Sequence, residues 1–216
     1  LSKEMDAIEA DETVHSIVVT GSDGSFCAGA DLSALGSTDE NLRRIYDGFL
    51  RIAQSPLPTI AAVDGPAVGA GLNLALACDV RLATRRSRFI TRFLELGLHP
   101  GGGHTWMLAR AVGQQTAAAM LLFGEELDGM QAEQAGLVLL CFDDDSAMQS
   151  YAAKIGAKAA GAPRPVVERT TATLRNTTSG TRYEAVVHEL EQQLWTLRQP
   201  WFQERLEKLK SQVSGR

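Results

Sequence analysis

Residues 59–79 read TIAAVDGPAVGAGLNLALACD, and the chemistry they offer lies in the backbone. Thr59–Val63 is an apolar β-type run and Asp64-Gly65-Pro66 a turn. Gly69-Ala70-Gly71 then opens a buried-helix pattern, Leu72–Ala77. The first turn of a helix has N–H groups without intrahelical acceptors, and the helix dipole adds partial positive charge there. Such a start attracts negative charge. Glycine and alanine around it let a ligand approach the main chain closely. A second small-residue loop, Phe26-Cys-Ala-Gly-Ala-Asp-Leu32, offers a facing set of N–H groups near Ala30.

Side chains add less. His99 and His104 flank Pro100-Gly-Gly-Gly103. A neutral histidine there could give or take a proton, or could simply pack and cap the next helix. No third ligand accompanies them, so no metal site is expected. Cys27 has no histidine near it in sequence and reads as a packing residue. Asp31 and Asp79 read as turn and cap residues. Arg85, Arg86 and Arg88 form a basic loop that either stays solvated or meets an anionic ligand; Lys208 and Lys210 offer the same choice near the C-terminus.

The elements that must position these loops follow from periodicity. Leu1, Met5 and Ile8 share a helical face, and Ser16–Thr20 is a β-branched buried strand. Ser37–Glu40 has the spacing of a capping box, followed by Leu42, Ile45, Phe49 and Ile52 on one helical face. Val80–Ala83 reads as a strand, and Phe89–Leu98 fits neither period. His104–Val112 and Thr116–Phe123 read as helices. Asp128 caps a short helix closed by Gly136, and Leu137–Phe142 is the last strand. From Asp145 onward the pattern is helical. Tyr183, Val186, Val187, Leu190, Leu194 and Leu197 form a long apolar stripe, which reads first as core or subunit contact.

Composition narrows the class. With 216 residues, 44% of them hydrophobic, the chain can bury one large core. A net charge of −5 does not advertise a nucleic-acid partner. No apolar run reaches the roughly 18 residues of a membrane span, and the acidic start, LSKEMDAIEADE, does not read as a signal peptide. Three separated cysteines suit reduced thiols and a cytoplasmic setting.

Three blocks in order, Phe26–Leu32, Asp64–Gly71 and Leu96–Gly103, resemble the signature blocks of the crotonase superfamily, the enoyl-CoA hydratase/isomerase proteins. Asn73–Asp79 and Ala135–Val138 match as well, so the resemblance spans nearly the whole chain. It implies an α/β fold: a spiral of ββα units over residues 1–142 and a helical C-terminal trimerisation region over 143–216. It implies an acyl-CoA thioester as substrate, with coenzyme A as part of it and no further cofactor. It also implies a homotrimer or a dimer of trimers. By motif, the N–H groups of Ala30 and Ala70 become an oxyanion hole for a thioester enolate. Ala28, Asp31, Leu32, Gly69, Gly71 and Pro100 fall around the substrate. The family usually has glycine at position 70; the Ala70 methyl would narrow the site and leave the N–H in place. The family also begins earlier than this chain. N-terminal strands that help hold the nucleotide end of CoA are expected to be missing, and the loop from Ser33 to Asp39 is short.

Hydratases of the family use two glutamates, and these positions fall on Asn73 and Phe93. A related isomerase subgroup uses an aspartate where this chain has Gly101. None of the three can transfer a proton at neutral pH. Glu95, His99 and His104 are the substitutes within reach; Glu95 would share the direction of Phe93 in a strand but not in a helix. Two readings therefore stand: a lyase or isomerase of fatty acid metabolism with a relocated acid/base, or a non-catalytic acyl-CoA binder. A dinucleotide-binding oxidoreductase is a third, poorer reading, because Leu74 stands where GxGxxG needs its last glycine.

Overall fold

The computed structural model describes residues 1–30, 39–176 and 181–214. Ser37, proposed to cap a helix, lies outside the described residues, as do Asp31 and Leu32.

The chain divides after Gly161 into two compact units. The first opens with α1 (Ser2–Ala10), β1 (Ile17–Thr20) and α2 (Asp39–Ala53). Then come β2 (Thr59–Val63), β3 (Pro66–Val68) and α3 (Ala70–Leu76), and next β4 (Val80–Thr84), β5 (Arg88–Ile90) and α4 (His104–Phe123). β6 (Leu127–Asp128), α5 (Gly129–Gln134), β7 (Leu140–Phe142) and α6 (Asp145–Ala159) complete it. Two sheets share these strands: a parallel one, β1-β2-β4-β7, and a smaller one, β3-β5-β6. β2 and β4 belong to the first sheet, and β3 and β5, which follow them directly, belong to the second. Each pair is followed by a helix, so the chain advances as repeated ββα turns. The first turn is abbreviated: Cys27 makes only an isolated parallel bridge to Ala67.

The alternation of β2 explains its continuous apolar run. Ala61 and Val63 join the main core with Leu72, Phe89 and Leu108, whereas Ile60 and Ala62 join Leu82, Met148 and Ala152 on the other face. A parallel sheet covered on both sides needs apolar residues at every position. The second cover is α6, so the compact unit takes in α6 rather than ending at Phe142.

The ambiguous stretch 89–98 resolves into the end of β5 and a single 3₁₀ turn, Leu94–Leu96. The two helices expected after Pro100 run together as α4, with Gly113 (φ 75°, ψ 165°) breaking the helical path between them. Asp128 caps α5 in a capping box with Gln131, whose N–H donates to the carboxylate at 2.8 Å.

The second unit holds α7 (Arg164–Asn176), α8 (Arg182–Leu197) and α9 (Pro200–Ser214). Arg169 lies over the Trp195 ring at 3.9 Å and donates to Gln192, joining α7 to α8. Within it the α8 stripe is exposed, Tyr183 by 77% and Leu190 by 53%, so this unit alone does not bury it.

Candidate active site

The backbone start of α3 is built by close contacts. Gly69 (φ 53°) turns the chain out of β3, its N–H donating to the Ile90 carbonyl at 2.9 Å. Ala70 is the first helical residue, so its N–H has no acceptor within the helix. The 26–30 loop lies directly beside it. The Val68 N–H donates to the Cys27 carbonyl at 3.0 Å, and that of Cys27 to Pro66 at 3.1 Å. A Cβ on Gly71 would overlap the Cys27 carbonyl oxygen, and a Cβ on Gly29 would press on Val68 and lie 3.9 Å from the Ala70 nitrogen. Glycine at 29 and 71 is what lets the two segments meet.

They meet at a cavity of about 710 Å³. Its wall includes Ala28, Ala30, Gly69, Ala70, Asn73, Phe93, Pro100 and Gly101. The structure thus brings together, from four separate segments, most of the residues singled out in the sequence. Gly71 stays beneath, packed on Cys27. Among the described residues the wall carries no carboxylate.

The three substitutes fare differently. Phe93 has helical dihedrals, so Glu95 points away from it. Glu95 lies outside the cavity wall and faces Arg92 at 3.5 Å, both exposed. His99 is on the wall, exposed, and donates from Nδ1 to the Pro100 carbonyl at 2.7 Å. His104 is buried behind the wall, 1% exposed, with its ring edge-on to Phe93 at 4.8 Å.

His104 and Asn73 fix each other. Asn73 Nδ2 donates to the Gly101 carbonyl at 3.0 Å, so its Oδ1 must accept, and His104 Nδ1 is the donor to it. His104 Nε2 is buried without a hydrogen-bond partner among the described residues. Protonating it would bury an unsatisfied cation, and burial accordingly pushes the ring pKa down to about 4. Asn73 is thus a latch on the 100–103 turn, and His104 is its support.

The pH consequence has a definite sign. A histidine at about 4 when folded and about 6.5 when unfolded binds more protons unfolded, so its contribution to stability falls as pH drops through that window. Between pH 7 and pH 5 the wild type should lose about 2 kcal/mol more than His104→Gln. Urea unfolding of both proteins at the two pH values checks this; equal losses would refute it.

Three further sequence candidates make contacts within the chain. Asp79 accepts from the N–H and hydroxyl of Thr59, at 2.8 and 2.9 Å, tying the end of α3 to β2. Arg86 pairs with Asp64, and Arg85 with Asp143. Several wall residues went unnoticed in the sequence, among them Thr91, Arg92 and Tyr46, the last on α2. A Cβ on Gly101 would overlap the Tyr46 hydroxyl, and one on Gly102 (φ 64°) would overlap the Phe49 ring. Nothing in the sequence around Tyr46 signals that contact.

Comparison with known proteins now decides the family. The model described as enoyl-CoA hydratase/isomerase matches residues 1–209. The chain belongs to the enoyl-CoA hydratase/isomerase family. It is 51% identical, over 86% of its length and 73% of the relative's, to a probable enoyl-CoA hydratase, EchA14, of Mycobacterium tuberculosis. It is 39% identical to the 2,3-dehydroadipyl-CoA hydratase of Escherichia coli, over 74% of this chain and 64% of that one. Human mitochondrial methylglutaconyl-CoA hydratase is 40% identical over 64% of this chain, which spans 42% of its length. A crystal structure of a probable enoyl-CoA hydratase/isomerase from Mycobacterium abscessus superposes with a TM-score of 0.85 at 29% identity, covering 98% of this chain and 84% of that one. The chain carries the crotonase fold expected from the sequence, with its parallel sheet and helical C-terminal region. By family the chain is of the acyl-CoA thioester hydratase/isomerase type.

Proposed function

We propose that this protein adds water to a 2-enoyl-CoA thioester, or removes it, holding the thioester oxygen between the backbone N–H groups of Ala30 and Ala70. The observation that carries the reading is the contact of Gly29 with the Val68–Ala70 segment at the edge of the cavity. It sets two main-chain segments side by side without side chains between them. Enolate formation puts negative charge on the carbonyl oxygen, and preorganised donors stabilise that charge where it develops. Coenzyme A enters as part of the substrate, and no other cofactor takes part. The exposed stripe of α8 supports assembly into a trimer or a dimer of trimers, and the free cysteines fit a cytoplasmic setting.

The absence of a carboxylate from the described wall favours a second reading, an acyl-CoA binder that polarises the thioester without turning it over. One experiment separates them. The purified protein is mixed with crotonyl-CoA and with longer 2-enoyl-CoAs, and loss of the enoyl absorbance is followed beside the spectral shift of a bound cinnamoyl-CoA. Hydration with the shift supports the enzyme. The shift without hydration supports the binder. Neither one sinks both.

A further inference from the structure

The wall must contain a group that moves a proton if the reading just proposed is right, and its polar members can be taken in turn. Ser25 donates its hydroxyl to the Pro66 carbonyl at 3.2 Å, and Thr91 donates to Met120 at 2.9 Å. Asn73 has both ends of its amide engaged. Arg92 is a permanent cation. His99 is an exposed rim residue with Nδ1 held by its own neighbour. Tyr46 is different. It is half-buried, and among the described residues its hydroxyl has no hydrogen-bond partner. Its ring lies 5.7 Å from Phe49, and the hydroxyl fills the space in which a side chain on Gly101 would begin. Asn73 holds Gly101 in turn through its carbonyl.

We propose that Tyr46 is the proton-transfer residue of this site, its hydroxyl held over the acyl chain by Gly101 and Phe49. The inference rests on the hydratase reading above. In the hydration direction, the water oxygen bonds to the β-carbon and the π-electron pair moves through the α-carbon onto the thioester oxygen. As that pair returns, the α-carbon takes the phenolic proton and a C–H bond forms. The proton shed by the adding water then restores the phenol. One water is added across the double bond, and Tyr46 ends as it began. A phenol is a weak acid, so it works here only beside donors that stabilise the enolate, which is the role given to Ala30 and Ala70.

Tyr46→Phe keeps the ring and removes only the oxygen. With crotonyl-CoA it is expected to lower kcat at least about 100-fold while KM stays within threefold. It should abolish exchange of the α-proton of butyryl-CoA in D₂O and leave the cinnamoyl-CoA shift unchanged. Gly101→Ala tests the same hydroxyl from the other side. Its new Cβ displaces the phenol, so kcat should fall in the wild-type background and change much less when added to Tyr46→Phe. Wild-type kcat and α-exchange in Tyr46→Phe, with the shift intact, would overturn the Tyr46 assignment and leave the hydratase reading standing. A wild-type protein that turns over no enoyl-CoA would remove both.

Discussion

Ala70→Pro is expected to lower kcat for enoyl-CoA hydration about 10²–10³-fold, the usual loss for one oxyanion donor. Ordinarily a backbone donor cannot be deleted by mutation. Here the position allows it. Ala70 is the first residue of α3, where proline is tolerated because the N–H has no helical acceptor and φ is already suitable. The residue before it is Gly69, which tolerates the restriction proline places on its neighbour better than any other. The substitution therefore removes the N–H of a residue on the cavity wall and no hydrogen bond of the helix. Far-UV circular dichroism and Tm should stay close to wild type, and acyl-CoA binding should weaken far less than kcat. A folded Ala70→Pro protein with wild-type kcat would mean that the thioester oxygen does not depend on this amide.

The turn into α3 could be read from the sequence because it is set by local rules. A β-type run, a glycine turn and an apolar helix in immediate succession leave little freedom, and 59–79 folds with β2 and α3 accordingly, though the short β3 between them was not read. The cap at Asp128 was legible for the same reason, whereas the ββα order came from the family resemblance. The place of Tyr46 on the cavity wall was not legible. Tyr46 reaches the cavity only because two aromatics of α2 press on Gly101 and Gly102, more than fifty residues away in sequence. No periodicity within α2 reports that contact. Glu95 illustrates the opposite case. Its direction hinged on whether 93–95 is strand or helix, and three residues of 3₁₀ turn put it beside Arg92 instead of in the cavity. His104 directly follows the glycines of the 100–103 turn, yet burial and the Asn73 bond give it a structural task. The place of α6 in the sheet unit was also hidden. Its small buried face, Met148, Ala152 and Gly156, is too slight a stripe to announce the sheet beneath it.

Gly71→Ala is the harsher test of how the two amides are brought together. Gly71 is helical, so alanine costs nothing in backbone conformation; the penalty is purely one of space. The new Cβ would overlap the Cys27 carbonyl oxygen and come within 2.9 Å of the carbon bearing it. That carbonyl accepts the Val68 N–H, so the 26–30 loop cannot retreat without loosening its bond to β3. Overpacking of this kind typically costs about 1–3 kcal/mol of stability. Loop movement also carries Ala30 away from Ala70, so kcat/KM should fall at least about 100-fold, the scale of losing one donor. Gly48→Ala supplies the contrast. Gly48 lies inside α2 and, among the described residues, nothing lies within 4 Å of where its Cβ would go, so the same change there should stabilise the protein by about 0.5–1 kcal/mol. Urea unfolding and steady-state kinetics on both variants give the comparison. Should Gly71→Ala keep wild-type kcat/KM, the close packing of Cys27 on α3 would not be what aligns the site, and the pairing of Ala30 with Ala70 would lose its structural basis.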